Sequence, residues 1–359
     1  LPRHRHVAMV SSATFSPDGE RIVTASYDNT AKVWDAASGS QLLTLSGHIS
    51  PVWSAVFSPD GEHIVTASSD NTAKVWDAAS GDELLTLSGH GARVSSAVFS
   101  TDGERIVTAS YDHTAKVWNA QTGAELLTLS GHTNWILSAA FSPNGERIVT
   151  VSSDTPAKVW NAQTGAELLT LSGHSAPVSS AAFSPDGERI VTTSEDNTAK
   201  VWNAQSGAEL LTLSRHSAPV NSAAFSPDGE RIVTANYDNT AKVWNAATGD
   251  ELLTLSGHIG AVWSATFSPD GERIVTASVD GTAKVWNAQD GAELLTLSGH
   301  SAEVSSAAFS PDGQRIVTAS YDNTAKVWDA QSGTQLFTLS GHTFWVKSAA
   351  FSPDGERIV

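Results

Sequence analysis

A histidine, a serine and an aspartate return together along this 359-residue chain, for example as His48, Ser68 and Asp70 and again as His300, Ser320 and Asp322. Those three side chains are the parts of a hydrolytic nucleophile, in which a carboxylate orients an imidazole that takes the hydroxyl proton. A catalytic set is needed once and in a cleft, whereas this one recurs in nearly every copy of a 42-residue block. It must therefore serve what every copy needs, a pinned loop and turn, and we assign no catalytic residue.

The twelve histidines invite a metal-site reading. Nine of them, His6 to His342, are the block histidine and fall one per copy; His4, His63 and His113 remain and lack ligand spacing. There is no cysteine, no His-Glu-x-x-His, no phosphate-cradling glycine loop and no dinucleotide fingerprint. Neither a metal nor a cofactor is expected, and the chain does not read as an enzyme.

The block itself decides what positions these groups. Residues 258–299 contain four runs of five or six residues rich in Val, Ile, Thr and Trp, at 262–267, 273–278, 282–286 and 293–297. Such runs are strands and are too short for helices. Ser-Pro-Asp-Gly at 268–271 and Asn-Ala-Gln-Asp-Gly at 287–291 supply the proline and glycine that tight turns require. One copy is thus a meander of strands a, b, c and d. Both faces of that small sheet are apolar, so it cannot cover itself, and stacking copy on copy is the solution.

These residues resemble the WD40 family, whose marks are a Gly-His pair and a later Trp-Asp pair in a unit of roughly 40–45 residues. Gly47-His48 precedes Trp76-Asp77 and the register holds through Gly299-His300 and Trp328-Asp329. Asn replaces the Asp at 119, 161, 203, 245 and 287, and Arg5 and Arg215 replace the glycine. The resemblance implies an all-β β-propeller of four-stranded antiparallel blades, with eight full repeats over residues 1–340 and a partial ninth, strands a and b, over 341–359. Eight blades are expected, nine or seven being the alternatives, with the spare hairpin docked outside or shared with another chain. The family also implies a hydrogen-bonded tetrad in each blade: here His48, Ser68, Asp70 and Trp76, and His300, Ser320, Asp322 and Trp328. Asn236 breaks the sixth set, which is expected to be rearranged or to use Thr234.

Near-identical copies can be compared with one another, and they differ at two places. One is the d–a loop after the block histidine; the other is the residue before the b–c turn aspartate, and alternating strand direction puts both at the same end of every blade. Eight tryptophans belong to strand c, nine phenylalanines to the Phe-Ser turn and Phe337 to strand d. Every other large aromatic falls in the two variable places: Trp53, Trp135, Trp263, Trp345, Phe344, Tyr27, Tyr111, Tyr237 and Tyr321. Aromatics with polar handles make binding hot spots, so these residues are candidate partner contacts, with Arg93, Glu303 and Lys347 selecting charge. The expected function is a scaffold or docking propeller for a protein or peptide. The alternatives are an amplified structural array without a ligand, or aromatics wedged between blades.

The formal net charge is −17, yet one copy, residues 300–341, carries only −2. Acidity spread by duplication favours solubility and argues against nucleic acid or an anionic membrane as partner. No apolar run approaches the roughly 20 residues of a membrane span, so a cytoplasmic protein is expected. The chain opens at Leu1 and its single methionine is Met9, as in a piece cut from a longer polypeptide. Chains with such near-identical copies resemble the repeat halves of larger bacterial signalling or defence proteins, which implies a sensor or docking half. The apolar partial repeat leaves room for oligomers.

Overall fold

The computed structural model describes residues 6–36, 38, 40–340, 344–356 and 358. They form eight four-stranded antiparallel sheets, each taken from one consecutive stretch of chain with strands in sequence order. Blade 2 is typical: strand a is Val52–Phe57, b His63–Ser68, c Thr72–Asp77 and d Glu83–Ser88. Strand a carries β-branched Val52 and Val56 and aromatic Trp53 and Phe57, and its Cα ladder on strand b runs from Phe57↔Ile64 back to Val52↔Ser68. The a–b turn closes with the Gly61 N–H donating to the Ser58 carbonyl at 2.9 Å. Gly61 sits at φ 74°, where a side chain would be strained. In the b–c turn the same left-handed conformation falls on Asn71, and on His113 in blade 3, which accounts for one of the unassigned histidines as a turn residue.

The chain divides into two compact units. The first holds blades 1 to 3, most of blade 4 and residues 352–359; the second holds blades 5 to 8, residues 344–351 and short pieces of blade 4.

In both units the apolar cores lie between blades. Val23, Ala25, Ala31, Val33 and Leu45 of blade 1 form one buried cluster with Val52, Ala55, Phe57, Ile64 and Trp76 of blade 2. The equivalent cluster in the second unit joins Val233, Val243 and Leu255 of blade 6 to Val262, Ile274 and Trp286 of blade 7. Trp76 is 1% exposed; burying a side chain of this size contributes roughly 1.5–3 kcal/mol. That energy exists only when a neighbouring blade is present, which is why a single copy would not be stable.

A second device locks neighbours together at the end carrying the a–b and c–d turns. Arg21, which opens strand b of blade 1, donates from Nη1 to the Ala78 carbonyl and from Nη2 to the Gly61 carbonyl of blade 2, both at 2.8 Å. Its guanidinium also covers the Phe57 ring at 5.4 Å. Arg105, Arg189, Arg231 and Arg273 repeat all three contacts on their next blades. Blade 2 carries His63 at this position, and Ala120 of blade 3, the counterpart of buried Ala78, is correspondingly only half-buried.

The partial ninth repeat departs from expectation. Among its described residues no strand forms; Phe351 and Ile358 take part only in single bridges. A two-stranded ribbon is marginal by itself. Nor does the segment dock outside: Val346–Phe351 takes up the contacts that strand a of blade 2 makes on blade 1. The Ser305 hydroxyl donates to the Val346 carbonyl at 2.9 Å, as Ser11 does to Val52 at 2.7 Å. Arg315 covers Phe351 at 5.5 Å, and Val346 and Ala349 are buried. Within the first unit, Ser352 and Pro353 pack so closely on Gly19 that a Cβ there would meet them at 3.2 and 3.4 Å.

Candidate functional site

The repeated histidine and aspartate do meet, and the hydroxyl between them is a different one from that expected. His48 Nδ1 lies 2.7 Å from Asp70 Oδ2 and its Nε2 lies 2.8 Å from Thr66 Oγ1; the Trp76 indole N–H donates to the same oxygen at 2.9 Å. Ser68 is outside this network. Its hydroxyl donates to the Ser50 carbonyl at 3.0 Å and accepts the Asp70 N–H at 3.1 Å, tying the d–a loop to the b–c turn. Ser320 is likewise displaced by Thr318, which bonds both His300 and Trp328. Thr66 and Ser68 are two residues apart and point to the same face of the strand, so spacing could not separate them. The register does: Trp76 pairs with Ile64, on the Thr66 side.

The charge state of this set is that of an ionised aspartate beside a neutral histidine, and it is the sealed hydroxyl that makes the set unsuited to hydrolysis. Burial works against ionisation of Asp112, but hydrogen bonds from Thr114, the Gly91 N–H and His90 outweigh it and hold the carboxyl at about 2. Burial, opposed by Asp112, pulls His90 below its ordinary value. The hydroxyl shared with a buried indole is sealed inside the blade, and a second carboxylate oxygen is held by the turn: Asp70 accepts from the Thr72 hydroxyl and N–H. The tetrad is a clip between loop, turn and strand. Among the described residues, no group of three or more His, Cys, Asp or Glu is placed to hold a metal ion.

Blade 6 shows what happens when the serine is replaced. Asn236 supplies both of its bonds, donating to the Ala218 carbonyl at 2.6 Å and accepting the Asp238 N–H at 2.5 Å. His216 keeps Thr234 at 2.8 Å but stands 3.5 Å from Asp238, and its Nδ1 is buried without a partner. Burial then pushes His216 down to about 4. Tolerance of Asn for Asp after the strand-c tryptophan has a simpler cause, because only an oxygen is used: Asp77 Oδ1 and Asn119 Oδ1 accept the same two turn N–H groups.

The two variable positions are bonded to each other in every blade. The residue before the turn aspartate donates its N–H to the carbonyl three residues past the histidine: Tyr111 to Arg93, Ser153 to Trp135, Tyr321 to Glu303. The aromatics then join one blade to the next. Tyr27 meets Trp53 edge-on at 4.5 Å, and Tyr111 stacks on Trp135 at 4.8 Å; in the second unit Tyr237 meets Trp263 at 5.4 Å, and Tyr321 stacks on Trp345 at 4.7 Å. Each tyrosine is partnered by the tryptophan of the following repeat.

Pairing does not bury them equally. Trp53, whose N–H donates to the Ser69 hydroxyl at 2.7 Å, and Trp263 start strand a and are partly covered. Trp135, Tyr237, Phe344 and Trp345 are between 40% and 53% exposed; Lys347 is exposed, and Tyr27, Tyr111, Tyr321, Arg93 and Glu303 are half-buried. The structure adds two residues that an aromatic census misses, Ile49 at 84% and Ile259 at 89% exposure, each directly after a tetrad histidine. The arginine clamps were also missed, since a recurring arginine looks like a solvated charge until its partner carbonyls on the next blade are known.

The WD domain, G-beta repeat family model matches nine times, at residues 1–35, 39–77, 81–119, 123–161, 165–203, 207–245, 249–287, 291–329 and 333–359. The chain belongs to the WD40 repeat family. Its β-propeller blades are thus those of a family typified by protein-interaction scaffolds and generally without catalysis. The dynein assembly factor with WD repeat domains 1 of Xenopus laevis is 45% identical over 42 residues, and that of Danio rerio 43% over 42. Each match spans 12% of this WD40 chain and 10% of the relative. The crystal structure of the computationally designed Ika8 protein resembles it with a TM-score of 0.76 at 32% identity, over 90% of this chain and 97% of that one.

Proposed function

We propose that this WD40 protein is a scaffold or docking module that binds a protein or peptide on the loops at the d–a and b–c end of its blades. One observation carries this reading. Among the described residues, every exposed large apolar side chain is either on outer strand d (Leu42, its repeats and Phe337) or on those loops. The loop set comprises Val7, Ile49, Trp135, Tyr237, Ile259, Phe344 and Trp345, and the opposite turns contribute none. If loops were apolar merely because loops drift, both ends would show it.

The anchors are Trp135 in the first unit and Trp345 in the second, the most open of the tryptophans, each stacked on the tyrosine of the preceding blade, and within each unit Tyr27 with Trp53 and Tyr237 with Trp263 supply the remaining aromatic contacts. The module is non-catalytic, because its His-Asp sets are occupied as clips. Its acidity disfavours nucleic acid and anionic membranes, and among the described residues no helix is long and apolar enough to cross a membrane. We infer a cytoplasmic location, one repeat domain over residues 1–340 with a partial repeat at 341–359, and a capacity to oligomerise through that partial repeat. The test is affinity capture followed by mass spectrometry with wild type and the W135A/W345A double variant. The variant should keep its circular dichroism spectrum and lose the wild-type partner; equal capture by both would remove the proposal.

A further inference from the structure

Five side chains from four blades of the first unit form one continuous ladder: Tyr27, Trp53, Arg93, Tyr111 and Trp135. The Arg93 guanidinium lies 3.3 Å from the centre of the Trp53 ring and 4.5 Å from that of Tyr111. Tyr27 closes one end of the ladder on Trp53, and Trp135 closes the other on Tyr111.

Nothing in the fold asks for an arginine at this place. The backbone carbonyl is what each blade uses, and the equivalent position holds Met9, Pro51, Trp135, Pro177, Pro219, Ala261 and Glu303 in other copies. Nor is the charge neutralised. The Arg93 side chain makes no ion pair or hydrogen bond with any described residue; its Nε is buried without a partner, and its terminal nitrogens are not among the buried unpartnered atoms. A partly desolvated, uncompensated cation is costly, and burial accordingly draws its pKa below the usual arginine value. The aspartates on the same loops do not offset it, because Asp28, Asp70 and Asp112 are committed to His6, His48 and His90. The glutamates 20, 62, 104 and 146 sit in the a–b turns at the other end of the blades. Locally, then, an acidic protein presents an isolated positive charge in an aromatic frame.

Deepening the proposed function, on which this rests, we propose that Arg93 is the anchor for an oxyanion carried by a peptide partner. Trp53 and Tyr111 both pack against the guanidinium, and its terminal N–H groups, which no described residue bonds, would take the ligand. A planar fork of donors matches carboxylate or phosphate in two parallel bonds. A neighbouring apolar residue of the same peptide would lie on Trp135 or Ile49.

The experiment uses the full chain, labelled with nitrogen-15, and the Arg93 Nε–H resonance identified by its loss in Arg93→Lys. The probes are a nonapeptide with four glutamates around one tryptophan, its glutamine isostere, and the same peptide with phosphoserine replacing glutamate. The glutamate or phosphoserine peptide should shift that resonance saturably and bind about tenfold more tightly than the glutamine peptide, as one charge-assisted pair implies. A response to glutamate assigns the oxyanion to a carboxylate, and a response to phosphoserine alone assigns it to a phosphate. Arg93→Ala should abolish the preference with an unchanged melting temperature, and Arg93→Lys should retain part of it. Equal binding of glutamate and glutamine peptides, an undiminished preference in Arg93→Ala, or no response to any probe overturns the assignment. If W135A/W345A loses the captured partner while Arg93→Ala keeps it, the docking face stands and the anion anchor falls.

Discussion

The indole of Trp135 lies flat on the phenol of Tyr111, with centroids 4.8 Å apart and planes 4° from parallel. One ring belongs to the d–a loop of blade 4 and the other to the b–c loop of blade 3, so the platform proposed for a partner also couples neighbouring blades. A double-mutant cycle with Tyr111→Ala and Trp135→Ala, read by chemical denaturation, should give a coupling of about 0.5–1.5 kcal/mol. A coupling of zero would mean the stack carries no stability and exists for binding alone.

Thr66 and Ser68 separate the clip from its support. Thr66→Ala strands the buried Trp76 N–H and His48 Nε2 together, so it should cost about 2–4 kcal/mol, whereas Ser68→Ala should cost about 1. Thermal melts give the order directly. A larger loss for Ser68 would return that hydroxyl to the centre of the network.

Blade 2 lacks the arginine clamp. His63→Arg should place donors on the Gly103 and Ala120 carbonyls, as Arg21 does on Gly61 and Ala78, and stabilise by roughly 1–2 kcal/mol. Arg105→Met should destabilise by a similar amount. An unchanged melting midpoint in both variants would show that the clamp is geometric only.

Acid should unfold the protein in steps. His216 titrates at about 4 in the folded chain against 6.5 unfolded, so between these values the unfolded state holds the extra proton. Its contribution is complete above pH 6.5 and is lost as pH falls toward 4, with a slope of up to about 1.4 kcal/mol per pH unit. His90, His132, His174, His258 and His300 shift the same way. The lowered aspartates, Asp112 and Asp322 at about 2, add a further loss below pH 4. Asn236→Ser should bring Asp238 back to His216, raise the histidine pKa and flatten the upper step. Proton titration by NMR beside melts at pH 4 to 7 would expose a His216 that does not respond.

Strand boundaries, turn types, the WD40 register and the end of the blade that varies were all readable along the chain, because each rests on local periodicity and on Gly, Pro and Asn conformations repeated eight times over. Comparing copies also brought out the tyrosines and tryptophans, though not that each tyrosine belongs with the tryptophan of the next copy. Contacts between copies were hidden. Thr66 and Ser68 look alike to a two-residue alternation until the register of Trp76 distinguishes them, and Arg21 looks solvated until the carbonyls of Gly61 and Ala78 arrive from 40 and 57 residues away. Local patterns encode the blade, whose bonds are between near neighbours. What the blade buries, what clamps it and what it offers to a partner depend on a surface that only the adjacent blade supplies.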